Sequence, residues 1–178
     1  MRIAFASLLV LTLAFVGAAA APAATVTSRD TLEAALVKRV NTVRGARGLP
    51  RLRVVPPLSR AAARHAGSMA GVSYFRHDLY TPMRWRAWTP FTSWIRWFYP
   101  GPGYPSWRAG ENLAWGAPDL TARKTVSRWL ASPGHRANLL ARDWHNLGVA
   151  AVHVRNPRGS FRSWNDVTIV VAEFGRRS

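Results

Sequence analysis

The sequence predicts a single α+β domain: three stretches of helical periodicity are followed by two strand-like runs that close as an antiparallel hairpin, within 178 residues, an ordinary length for one domain. Burial alone must hold it together. The chain has no cysteine, so neither a disulfide framework nor a lipid-modified thiol can form.

The elements follow in order. Arg2 supplies a minimal basic start, Ile3 to Val16 an apolar run, and Gly17 to Ala24 a small-residue tract, which is the layout of a secretory signal. Small residues at −3 and −1 allow cleavage after Ala20 or Ala23, placing a leader at residues 1–23 and the domain at residues 28–178. A retained anchor fits less well, because alanines follow the run where a basic stop-transfer flank would be needed. Asp30 with Glu33 has the pattern of a capping box, and Leu32, Leu36, Val40 and Val43 then recur at helical spacing up to Gly45 and Gly48. Pro56 and Pro57 open a second helix whose inward face carries Leu58, Ala62, His65, Ala66 and Met69, so His65 reads as a structural core histidine. Residues 79–109 contain Pro82, Pro90, Pro100, Pro102 and Pro105 and no acidic side chain, and read as a long structured loop. A third helix runs from about Leu120 to Ala131 with Val126, Trp129 and Leu130 as its apolar stripe, followed by a short turn from His135 to Leu140. Leu147 to Val154 and Val167 to Phe174 are the two strands, with Asn156, Pro157 and Gly159 between them. His145 and His153 fall in a turn and on a strand face, and read as structural.

The net charge is +17, and a lost leader lowers it by only one, since Arg2 is the only charge before Arg29. Such a surface attracts polyanions. No recognition helix or zinc-finger spacing points to specific nucleic acid; for an exported protein the polyanions within reach are anionic cell-envelope polymers and lipids. Because all basic residues but Lys38 and Lys124 are arginine, compositional bias explains the charge equally well. The loop at 79–109 concentrates this chemistry. Trp85, Trp88, Trp94 and Trp97 are interleaved with Arg84, Arg86 and Arg96, a set suited to sugar rings or a membrane interface and to neighbouring phosphates, with part of the aromatic surface packed as a lid.

There is no thiol nucleophile, no HExxH helix, no GxSxG elbow and no phosphate-cradling glycine loop. The polar candidates that remain are His77 and Asp78, Glu111, and His135. Their setting is specific: Phe75-x-His77, then Gly110-Glu111-Asn112-Leu113-Ala114, then Trp129-x-x-Ser132-Pro133-Gly134-His135-Arg136-x-Asn138-Leu139-Leu140, then Leu147-Gly148-Val149. Upstream lie Asn41-x-x-Arg44 with Gly48-Leu49-x-x-Leu52, and Leu58-x-x-Ala61-Ala62-x-x-His65-Ala66-x-x-Met69. This ordered set, spanning roughly residues 32–175, resembles the CAP superfamily (SCP domain), which includes cysteine-rich secretory, antigen 5 and pathogenesis-related proteins; the missing cysteines suit its bacterial branch.

The resemblance implies a three-layer α-β-α sandwich with a central antiparallel sheet, and a cleft holding two histidines and two acidic residues. His77, Glu111 and His135 match three of those positions, whereas the fourth is Ser132 here, against any mechanism that needs two carboxylates. Two imidazoles and a carboxylate are suitable ligands for a divalent metal such as Zn²⁺ and would leave a position open for water or substrate. Two functions follow. One is a secreted, monomeric binding module that takes a cell-envelope lipid or wall glycan, as lipid binding within the family implies; the other is a metal-dependent extracellular hydrolase using His77, Glu111 and His135.

Overall fold

A computed structural model describes residues 23–81 and 87–178. The leader predicted at residues 1–23 lies, but for its last residue, outside them. In chain order the elements are β1 (Thr25–Ser28), α1 (Asp30–Gly45), β2 (Arg53–Val54), α2 (Pro56–Val72), β3 (Leu79–Thr81), β4 (Ala87–Thr89), α3 (Phe91–Ile95), β5 (Trp107–Gly116), α4 (Ala122–Ala131), α5 (Pro133–Leu140), β6 (Asn146–Arg155) and β7 (Asp166–Arg177), with a 3-10 turn at Gly159–Phe161. Among the described residues no helix is long and apolar enough to cross a membrane.

The sheet runs β1-β6-β7-β5, and β2 shares with β1 one edge of β6. β6 and β7 form the predicted antiparallel hairpin, and β5 pairs antiparallel with β7 along its whole length. Side chains alternate across a strand, so the register assigns each residue to a layer. Val149, Ala151, Val170, Ala172 and Phe174 pack with α1, α4 and α5 residues such as Leu36, Val40, Trp129 and Leu139. Ala150, Val154, Ile169, Val171 and Leu113 pack under α2 against Ala62, Ala66 and Met69. The result is an α-β-α sandwich with both sheet faces covered. For this reason Val149 with Ala151, and Ile169 with Val171, belong to opposite layers.

Several expectations are corrected. The capping box does not close: Arg29 occupies the N-cap position of α1, and the Glu33 carboxylate accepts from the Ala151 backbone N–H at 2.8 Å, tying the helix start to β6. The stretch 79–109 is not simply a loop, since it holds the β3-β4 hairpin, α3 and the start of β5. The turn at 135–140 is helix α5, which starts at Pro133, where a missing N–H costs nothing. The third helix starts two residues later than read, with the Thr121 hydroxyl accepting from Lys124 N–H at its N-cap.

Both named residues of Asn41-x-x-Arg44 have plain structural tasks. Asn41 bridges both backbone groups of Leu52, at 3.1 and 2.8 Å. Arg44 is fully buried and donates to the carbonyls of Pro50, Leu139 and Ala141 at 2.9–3.0 Å, which fastens the end of α5 to α1. On the opposite face, α2 rests almost directly on β6. A Cβ added to Gly148 would stand 2.1 Å from the Leu58 carbonyl carbon, so only glycine permits this approach.

Candidate functional site

The site is assembled on the α2 face of the sheet and spills over its edge. Register places Gly148, Glu173 and Glu111 in one row across β6, β7 and β5, all facing α2. His65, on the inward face of α2, meets that row: its Nδ1 lies 2.5 Å from Glu111 Oε2, and both side chains are fully buried. His77, five residues beyond the end of α2, places its Nδ1 2.7 Å from Glu111 Oε1 while half its side chain stays exposed. Both oxygens of Glu111 are therefore taken by imidazoles.

These bonds set the protonation. Burial pushes the Glu111 carboxyl up, but the hydrogen bonds from His65 and His77 outweigh it and hold the group below its ordinary value. The hydrogen bond to Glu111 raises His77, against its partial burial. Glu173 is pushed well above the usual carboxylate range by burial and then by the Glu111 charge directly across the strand pair. Glu173 thus stays protonated beside an ionised Glu111, two carboxyl groups with different charge states.

His135 comes from the first turn of α5, with its ring centroid 6.1 Å from that of His77. Burial, followed by the His77 charge, lowers its pKa. Hydrogen bonds lock α5 to β5: Asn112 Nδ2 donates to the His135 carbonyl at 2.9 Å, and Asn138 Nδ2 to the Glu111 carbonyl at 3.0 Å and to Asn112 Oδ1 at 3.2 Å. Gly110 permits this contact, since a Cβ there would lie 2.9 Å from Asn138 Oδ1. Between the histidines opens a cleft of about 350 Å³, lined by His77, Phe91, Gly110, Glu111, Ser132, Gly134, His135 and Asn138 among others. Ser132, at the fourth position of the resemblance, lines it with a hydroxyl, and the second carboxyl group is the buried Glu173 behind it.

His77, Glu111 and His135 thus share one cleft, but Glu111 stands behind His77 and holds it. That is the arrangement in which a carboxylate orients an imidazole and leaves the other ring nitrogen for a ligand. A second group, His65, Glu111 and Glu173, offers ligand atoms within 4.8 Å of one another and could hold a metal ion. Reading the sequence missed both outer members. His65 lies on the buried face of its helix, as the spacing predicts, and meets Glu111 there. Glu173 shares its strand face with Val167, Ile169 and Val171, and an acid at an inward strand position was a signal that went unused. His153 bonds Thr168 and Asp166, and His145 is exposed beside β6, both away from the cleft.

Of the loop residues, Arg84, Trp85 and Arg86 lie outside the described residues, and Trp94 is in α3. Trp88, on β4, packs edge-on to Tyr74 at 4.9 Å beneath the Arg76 guanidinium and remains 41% exposed. Trp97 is 65% exposed and Arg96 is exposed.

A model of the cysteine-rich secretory protein family, CAP, matches residues 37–174. No curated protein matches the chain. Among solved structures, an outer surface protein of Borrelia burgdorferi superposes with a TM-score of 0.61 at 21% identity, over 86% of this chain and 100% of that one. An extracellular protein of Bacillus anthracis containing an SCP domain gives 0.58 at 23% identity, over 82% of this chain and 40% of its own. A Staphylococcus aureus cysteine-rich secretory protein gives 0.51 at 14% identity, over 80% and 38%. This chain therefore spans less than half the length of the last two proteins, and these likenesses speak for the fold.

Proposed function

This chain belongs to the cysteine-rich secretory protein (CAP) family, and from that premise we propose that it is an extracellular binding module whose cleft and basic surface engage an anionic cell-envelope polymer or lipid. The observation that carries this reading is the charge state of the cleft. Its only carboxylate, Glu111, is matched by two imidazoles, and His77 is held toward its cationic form. The N-terminal turn of α5 opens onto the same space with the backbone of Gly134 and His135, a position that favours negative charge. Exposed Trp97 and Arg96 and half-exposed Trp88 extend the surface with apolar and cationic groups.

The test is sedimentation of the purified protein with cell wall and, separately, with anionic vesicles at low and high salt. Retention at low salt that weakens with salt and with His77→Ala is expected; retention by neither material ends the reading.

A second reading, a metal-dependent hydrolase, is favoured by one feature: Glu111 takes Nδ1 of His77 and leaves its other ring nitrogen for a ligand, with the His135 ring centroid 6.1 Å from that of His77. His77 and His135 would hold a zinc ion, which when bound would polarise a carbonyl or acidify a water, while Glu111 fixes the orientation of His77. Zinc titration by calorimetry decides this, because heat that is unchanged in His77→Ala and His135→Ala removes both the metal and the hydrolase.

A further inference from the structure

A second cavity, of about 330 Å³, is lined by Arg53, Tyr104, His145, Asn146 and Arg177. It lies at the end of the sheet where β2, β6 and β7 meet, and it shares no lining residue with the His/Glu cleft. Register sets Arg53 beside Asn146, and Asn146 beside Gly175, two residues before Arg177.

The lining is rich in donors and contains no carboxylate. Arg177 is held without a counter-charge. Its guanidinium lies 4.3 Å from the Tyr104 ring centroid and 4.7 Å from that of Tyr99, and it donates to the Tyr99 carbonyl at 2.9 Å. Arg53 is exposed, and among the described residues neither arginine forms an ion pair. Asn146 has a fixed direction as well. The buried Tyr99 hydroxyl donates to its Oδ1 at 2.7 Å, which leaves the Nδ2 hydrogens as the end available to a ligand. Burial pushes the Tyr99 phenol up to about 12, so it stays a donor and the orientation persists.

Two guanidinium forks, an amide N–H₂ and an exposed tyrosine edge form a lining that recognises an oxyanion carried on a hydroxylated chain. We infer that this pocket binds a phosphate ester of a polyol or sugar, such as a repeating unit of an anionic wall polymer. It rests on the envelope reading only for the source of that ester, since the pocket's own chemistry is independent of the cleft.

Glycerol 1-phosphate is the probe, titrated calorimetrically into the full mature chain, with glycerol as the neutral control. Binding of the phosphate but not of glycerol is expected, and Arg53→Gln should weaken it about tenfold or more, the loss of a charge-assisted hydrogen-bonded pair. Arg177→Gln should do the same, and because that side chain also packs between two tyrosines, Arg53→Gln is the deciding variant. Arg39→Gln, an equal charge change on the exposed face of α1, should leave affinity unchanged. The inference falls if glycerol 1-phosphate does not bind, if Arg39→Gln weakens it as much as Arg53→Gln, or if only phosphatidylglycerol vesicles bind in an Arg53-dependent way. A protein that binds the probe but is not retained by wall would keep the pocket and lose the envelope reading; a protein retained by wall that does not bind the probe would do the reverse.

Discussion

Arg44 and Glu111 both carry an ionic group into the interior, Arg44 between α1 and α5 and Glu111 between α2 and the sheet, and the protein surrounds them by different means. Arg44 receives three backbone carbonyls and no acid. Glu111 receives two imidazoles and a neighbouring carboxyl group. Carbonyls do not titrate, so the Arg44 centre is the same at every pH at which the protein folds. The Glu111 centre is built from groups that gain or lose protons, and it borders the cleft. One is a fastening, whereas the other can change state when something binds.

Substitutions at the two centres should separate them. The largest effect is expected for Arg44→Ala, which leaves the carbonyls of Pro50, Leu139 and Ala141 without this donor and releases α5; a loss of about 4 kcal/mol in urea unfolding, equal at all pH values, is expected. Gly148→Ala follows at about 3 kcal/mol, since the new methyl meets Leu58 backbone and no flexible side chain can yield. Unlike Arg44→Ala, it should also shift the His65 ring resonances. Glu111→Gln should cost about 2 kcal/mol by removing charge-assisted bonds to two imidazoles, and NMR titration should show His77 falling back toward 6.5.

That variant also has a predictable pH profile. The contribution of Glu111 is present above its unfolded value of 4.5 and is lost as pH falls through its lowered folded value; that of His77 is present below 6.5 and lost as pH rises through its raised value. The cost of Glu111→Gln is therefore greatest between those limits. The smallest effect is expected for Glu173→Gln, within about 1 kcal/mol of wild type near pH 4.5, because the native side chain is already neutral. The folded protein keeps a proton there that the unfolded chain releases, so wild-type stability declines as pH rises and the glutamine variant gains on it. Parallel curves for the two proteins across pH 4–8 would show that Glu173 is ionised in the fold.

Helices α1, α2 and α4 and the final hairpin were legible because their apolar periodicity is local. β5 was not, for a physical reason: its middle carries Gly110, Glu111 and Asn112, whose polar groups are satisfied by α2 and α5, segments distant in the chain. Lacking those partners, the stretch has no alternation to read. α5 is too short to display a period, and its Pro133-Gly134 start imitates a turn. The cleft residues His77, Glu111 and His135 came from motif order. That His65 faces inward could be read from its helix, but whether an inward imidazole meets a leucine or a carboxylate depends on a strand that periodicity alone does not reveal.

The bare rung at Gly148 has an effect beyond tight packing. It fixes the height of α2 above the sheet, and the length of an imidazole side chain is what spans the remaining gap to the acid row two turns further along. Helix height thus acts as a gauge for the chemistry: lifting α2 by the thickness of one methyl would leave Glu111 charged in an apolar layer with one fewer escort. The nature of the cleft would then be altered by an atom that never touches it.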